Sequence, residues 1–495
     1  MSNQVTDNSL RKSRLGVLGI VFFVVAASAP LVGMTGAVPV AILAGNGAAA
    51  PGAYLLVGLV LVLFSVGFTA MTSKVTNAGA FFAYVGRGLG RNMGIGSALA
   101  MVVGYVAIQL AIYGFFGGVM SFMVPGLPWY GWALVAWAVA TLLSLFSVDI
   151  GSKVLGVLIV LEVLALFTTA IVILVSGGPE GMNFGASFSP DQIFIGGFAG
   201  GAGIAIAFAF ASFIGFEATA IYGEESNNPK RIVPRATYWA IGIITGLFAI
   251  TSFAMVTGMG ASKIIDEVVA RSAVEGVPLA NPAGVLFSLT DQYVGSWMTQ
   301  LMSVLVLSSL FAGLLAFQNA TSRYFFALGR GGVLPTRFGM TNKSGAPAAG
   351  VILTSIIALV VIVGFAAAGL DGIGNLFTWM SAITAVAIMF VEVLVSIAIM
   401  VYLRKDGTFN VWKSTIAPLL SAVGLAFGLY LLMSRFNLLG NLAAEGVDPT
   451  AAGSAWMLSP MGWAFVLSPF IAAVIGFVVA AATKSKRDLA ADILS

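Results

Sequence analysis

The chain has no cysteine and no histidine among its 495 residues. Without thiols there is no disulfide framework and no cysteine nucleophile. Without imidazoles there is no histidine metal ligand and no histidine proton relay. Charge is scarce as well. Asp, Glu, Lys and Arg make up 8% of the residues, against roughly 25% in soluble proteins, and this excludes an ordinary soluble globular domain. The basic pI of 9.2 does not point to nucleic acid, because the Lys and Arg residues sit in short loops between apolar runs, where they set membrane orientation. What the chain has in plenty is apolar surface, 59% hydrophobic residues, and glycine, 60 residues. Glycine at that density suits close packing and interruption of membrane helices.

Apolar runs long enough to cross a bilayer, about 20 residues or more, lie near 15–43, 51–73, 94–123, 130–147, 153–176, 197–222, 236–260, 296–328, 347–369, 372–402, 412–434 and 459–482. They predict an all-α integral membrane protein of twelve transmembrane helices, with polar tails at 1–14 and 483–495. The first run exceeds the roughly 7–15 apolar residues of a signal peptide and is expected to be the first span. With both termini cytoplasmic, 20 of the 23 Lys and Arg residues fall on the inner side, the exceptions being Lys263, Arg271 and Arg435. That asymmetry predicts a multi-pass protein of the cell (cytoplasmic) membrane with both tails inside. The segment 261–295 reads either as short helices over the outer mouth or as a plain connector.

Two spans carry breaks near their middles. In the first, the order is Ser28, Ala29, Pro30, Leu31, Val32, Gly33. Pro30 has no amide hydrogen for the helix ladder, and Gly33 and Gly36 loosen the turns after it. In the sixth, Phe210, Ser212, Phe213, Ile214 and Gly215 lead into Glu217, a carboxylate at bilayer depth. Interrupted helices at matching positions of two halves mark a transporter binding site. The exposed amide end of a half-helix favours a carboxylate, and the carbonyl end favours an ammonium or metal cation.

Three blocks of sequence carry a family likeness: Phe213 to Glu217 continuing through Glu224 to Ala236, Asn319 to Pro335, and Asn77 to Val85. Together they resemble the amino acid–polyamine–organocation superfamily. The resemblance implies the leucine-transporter-type fold, in which a 5+5 inverted repeat (15–176 and 197–402) has broken helices 1 and 6 and two peripheral helices (412–482) are added. It also implies a secondary active transporter taking up an amino acid or related amine by alternating access. With no fixed charged partner at bilayer depth beyond three glutamates, the expected substrate is a neutral, zwitterionic amino acid and the expected coupling ion a proton, and without His, Cys or clustered intramembrane acids an enzyme is not expected. A polyamine or other organic-amine permease and a sodium-coupled symporter are the alternatives. The resemblance places the substrate carboxylate on the amides of broken span one, residues Ser28 to Gly33, and the amine against carbonyls of spans one and six, residues Phe210 to Glu217. Ser28-Ala29-Pro30 stands where relatives show a Gly-small-Gly turn. The carboxylate would then rest on Ser28 or on a shifted amide such as that of Leu31.

Three carboxylates lie deep in spans, Glu162, Glu217 and Glu392, and such groups mark function by default. Glu217 resembles the acidic gating or proton-sensing residue of the family. Glu162 stands where relatives often carry a lysine, and reads as a proton site or a helix contact. Glu392 reads as a bundle-facing, hydrogen-bonded residue. Ser308 and Ser309 are weak sodium candidates beside the plainer reading of packing residues. Tyr105, Gln109 and Tyr113 share one face of span three and either line the cavity or pack. Phe208, Phe210 and Phe213 either gate the substrate or belong to the core. No metal or organic cofactor is implied. The expected partners are an amino acid or amine, a coupling proton or sodium ion, and the lipid bilayer, with no nucleic acid.

Overall fold

A helix satisfies every backbone amide within its own segment, which a bilayer demands of whatever crosses it. The computed structural model describes residues 16–75, 79, 81–146, 149–274, 276–279 and 281–482. Among them the regular structure is helical, and strand pairing is limited to two isolated bridges, Val274 with Val277 and Ala443 with Leu458. The expectations for the two tails, for Asn77, Ala78 and Ala80 of the third motif, and for the side chains of Glu224 and Glu225 fall outside the described residues.

The first apolar run is two helices, α1 (Val17–Ser28) and α2 (Pro30–Val40). A π-turn and a 3₁₀ turn over 41–49 lead into α3 (Ala50–Thr72), then α4 (Phe81–Leu89), α5 (Arg91–Met123), α6 (Trp129–Leu145) and α7 (Asp149–Ser176). Two short surface helices come next, α8 (Phe184–Phe188) and α9 (Pro190–Ile193). The sixth run is α10 (Gly201–Ser212) and, past a turn, a 3₁₀ segment over Phe216–Glu225. Beyond it come α11 (Pro229–Met259), the short α12 (Ile264–Ser272) and α13 (Ala283–Tyr293), then α14 (Ser296–Arg330), α15 (Ala348–Ala367) and α16 (Thr378–Asp406). The chain closes with α17 (Ala417–Ser434), α18 (Phe436–Leu439) and α19 (Pro460–Ala482). Segment 261–295 is therefore two short helices rather than a plain connector.

Ten stretches among the described residues are long and apolar enough to cross a membrane, and α6 is a shorter apolar helix. The first stretch, Val17–Thr72, is 56 residues long, more than twice what one crossing needs. Helix α5 packs against α4, α6, α14, α16 and α19, and α11 packs against α1, α3 and α7. Where α5 meets α19 the backbones nearly touch. A Cβ on Gly96 would stand 2.7 Å from the Ala473 carbonyl oxygen, and one on Gly476 2.8 Å from that of Ile95. Two cations near the ends of spans are buried. Arg435 is 0% exposed and donates to the carbonyls of Ala199, Ala451 and Ala452 and to Ser454 Oγ. Arg323 is 2% exposed because α14 runs on to Arg330, two turns past it.

Candidate functional site

Ala29 is the single residue between α1 and α2, at φ 41° and ψ 65°. Its N–H still bonds back to the carbonyls of Val25 and Ala26 at 3.1 and 3.2 Å, which closes α1 in a left-handed cap. Its own carbonyl accepts from Val32 N–H at 2.9 Å and Gly33 N–H at 3.1 Å. Pro30 holds the first position of α2, where a missing N–H removes no helical hydrogen bond. Leu31 N–H is thus the one amide of that first turn with no backbone partner. It donates to Glu162 Oε1, reaching across from α7 at 2.9 Å. The Ser28 hydroxyl turns back onto its own helix, donating to the Val24 carbonyl at 3.1 Å.

In the sixth run α10 ends at Ser212, and Gly215 sits at φ 107°, a conformation that strongly favours glycine. A Cβ there would lie 2.7 Å from the Ala27 carbonyl carbon and 2.8 Å from Ser28 N. The two breaks therefore meet backbone to backbone. Glu217, 1% exposed, accepts Gly215 N–H at 2.8 Å through Oε2 and the Tyr105 hydroxyl at 3.2 Å through Oε1. The Tyr105 ring packs on Phe317 and Tyr324, with centroids 5.6 and 5.4 Å away. The Ser212 hydroxyl donates to the Phe208 carbonyl at 2.8 Å and is paired with Tyr54 Oη at 3.2 Å. Phe213 packs on Phe248, which also stacks on Tyr54. Of the adjacent serines, Ser308 donates to the Leu305 carbonyl of its own helix. Ser309 lies beside the Glu162 carboxylate. Both its Oγ and Glu162 Oε2 are buried and make no hydrogen bond.

Residues 19–488 match the family of amino acid permeases. The chain belongs to that family. Its relatives include the branched-chain amino acid permease BcaP of Lactococcus lactis, 27% identical over 76% of this chain and 80% of the relative. The amino-acid permease GAP5 of Candida albicans is 25% identical over 52% of this chain and 40% of its own length. The lysine-specific permease LysP of Lactococcus lactis is 23% identical over 62% and 60%. Most of these relatives are thus matched over only part of their own length, BcaP excepted. The family is one of transporters, and this permease is a multi-pass membrane protein.

Two features of the permease escape the sequence reading. Glu392, 2% exposed, makes no side-chain hydrogen bond to a neighbouring helix among the described residues, and its Oε1 is buried without a partner. It lines a void of about 10 Å³, room for one water molecule, against Phe210, Phe213, Ile214 and Phe216 of the sixth run and Leu61 of α3. The second feature is the partner of Gln109. Its amide donates to Gln318 Oε1 of α14, and Gln318 Nε2 donates in turn to Ser355 Oγ of α15 at 2.9 Å. Thr141 of α6 pairs with the same Ser355 hydroxyl. The signal for Gln318 is a second amide inside an apolar span, but one sequence does not say which polar residue meets which.

Proposed function

We propose that this permease imports a zwitterionic amino acid across the cell membrane by alternating access, driven by protons, with both termini in the cytoplasm. The observation that carries the reading is the backbone contact of Gly215 with Ala27 and Ser28, where the break of one run seats on the break of the other. The amide end of α2 and the carbonyl end of α10 converge there. A substrate carboxylate belongs with the first and its ammonium with the second. Division of the 56-residue first stretch at its turn, together with α6, brings the spans to twelve, arranged as two inverted five-helix repeats and a peripheral pair. Glu217 and Glu162 are the carriers of the coupling proton, since both are buried at the breaks and neither forms an ion pair among the described residues. Proton coupling is preferred to sodium coupling because Glu162 and Glu217 are buried carboxyls that can take up and release a proton at the breaks. The test is uptake of radiolabelled amino acids into proteoliposomes. An inwardly directed proton gradient drives accumulation if the reading holds. Accumulation that ignores pH and follows a sodium gradient overturns the coupling, and no uptake of any amino acid overturns the permease reading for this chain.

An organic-amine permease is the second reading. The three buried carboxyls, Glu162, Glu217 and Glu392, favour it as partners for ammonium groups. In that case glutamine at 162 or 217 abolishes diamine uptake and spares neutral amino acids.

A further inference from the structure

The anion-favouring end of α2 is already filled from within the protein. A helix N-terminus draws a carboxylate through its unpaired amides. The 11-residue α2 offers one, on Leu31, because Pro30 has none and those of Val32 and Gly33 are taken by Ala29. The Glu162 carboxylate holds that amide at 2.9 Å. Beside it lie two buried oxygens without hydrogen-bond partners, Glu162 Oε2 and Ser309 Oγ. Helix α7 packs against α1, α2, α11, α13 and α14. The groups facing Glu162 from them are the Leu31 amide and the Ser309 hydroxyl. Among the described residues the titratable groups on α11 (Lys230, Arg231, Arg235 and Tyr238), on α13 (Asp291 and Tyr293) and on α14 (Arg323, Tyr324 and Arg330) form no ion pair or hydrogen bond with it.

We propose that Glu162 is a tethered stand-in for the substrate's carboxylate. A substrate carboxylate and the Glu162 carboxylate cannot both accept from one N–H, and two anions side by side repel. A substrate therefore takes the Leu31 amide as Glu162 releases it and accepts one proton from the water on the loading side. The new O–H of Glu162 donates to the Ser309 oxygen, which now lacks a donor. Release of the substrate reverses both moves: Glu162 gives its proton to the water on the other side and returns to Leu31. Competition for a single amide is thus the coupling device. This rests on the permease reading above and adds to it which group exchanges the proton, and why a substrate triggers the exchange.

The experiment uses the purified full chain in detergent, with leucine and lysine as probes and their decarboxylated counterparts, 3-methylbutylamine and 1,5-diaminopentane, as controls. Binding is followed by thermal stabilisation, and proton uptake by an indicator dye in weakly buffered solution. The amino acids should bind with uptake of about one proton each, and their affinity should fall up to about tenfold per pH unit as pH rises. The amines, having nothing to displace Glu162, should bind without uptake. E162Q keeps an oxygen to accept from Leu31, so it should fold and bind the amino acids with no proton uptake and a flat pH profile. Equal proton uptake with amino acids and amines, or unchanged uptake in E162Q, overturns the inference while transport in proteoliposomes continues. Binding of the amines alone also overturns it. Failure of the wild type to bind or transport any amino acid removes the permease reading and this inference together.

Discussion

The contact between the two breaks sets a sharp test in Gly215→Ala. The methyl group meets two penalties. An alanine at φ 107° lies outside the favoured regions for residues with a side chain, at a strain of about 1–3 kcal/mol. The added carbon also falls 2.7 Å from Ala27 C, 2.8 Å from Ser28 N and 2.9 Å from Ala27 Cβ. The first two are backbone atoms, so no rotamer change relieves the clash, and such overpacking costs about 1–3 kcal/mol more. The expected loss is about 2–6 kcal/mol, concentrated where α1 must seat on the sixth run. The matched control is Gly36→Ala in α2, where an added Cβ meets nothing within 4 Å and helix propensity predicts a gain of up to about 1 kcal/mol. Thermal unfolding in detergent and amino acid uptake in proteoliposomes should separate the two. G215A should unfold at a clearly lower temperature and transport poorly, while G36A should match or exceed the wild type. A G215A protein as stable and active as G36A would refute the claim that the two breaks touch.

Other substitutions probe the remaining buried polar groups. Glu392→Leu replaces a carboxyl whose Oε1 has no partner with a side chain suited to the aromatic walls of its void, and should raise stability by about 1–3 kcal/mol. Destabilisation in a thermal scan would show instead that Glu392 holds a bound group. Gln109→Leu keeps the volume but strands the Gln318 carbonyl oxygen between α5 and α14, and should lower stability by about 1–3 kcal/mol. An unchanged melting temperature would rule out the amide pair.

How far the site can be read in advance depends on the range of each interaction. The breaks at Ala29–Pro30 and Gly215 are legible because they are local. A proline without an amide and a glycine at positive φ act on their own turn, whatever packs around them. The membrane class emerges from composition for the same reason, since each apolar run must satisfy its own backbone. What the chain does not encode locally is which face of one span meets which face of another. Ser308 and Ser309 look alike in sequence, and only the rotation of α14 turns Ser309 toward Glu162 and leaves Ser308 on its own helix. Glu162 stands out as a buried acid, but its meeting with Leu31, 131 residues away, depends on how α7 lies across α2. For Glu392 the general rule for buried carboxyls leads to a hydrogen-bonded neighbour, whereas the void beside it is a property of packing.

The joint between α1 and α2 is one residue long, and this restricts how the molecule can change shape. A longer unwound linker would let the second half drift sideways or along its axis. With Ala29 alone between Ser28 and Pro30, the two pieces keep a fixed separation at the elbow, and what remains is rotation about two dihedral angles. An opening or closing of this run that keeps both helices intact is therefore a swing pivoting at Ala29. The far end of α2, about 15 Å away at about 1.5 Å per residue, sweeps widely while the amide of Leu31, two residues from the pivot, scarcely moves.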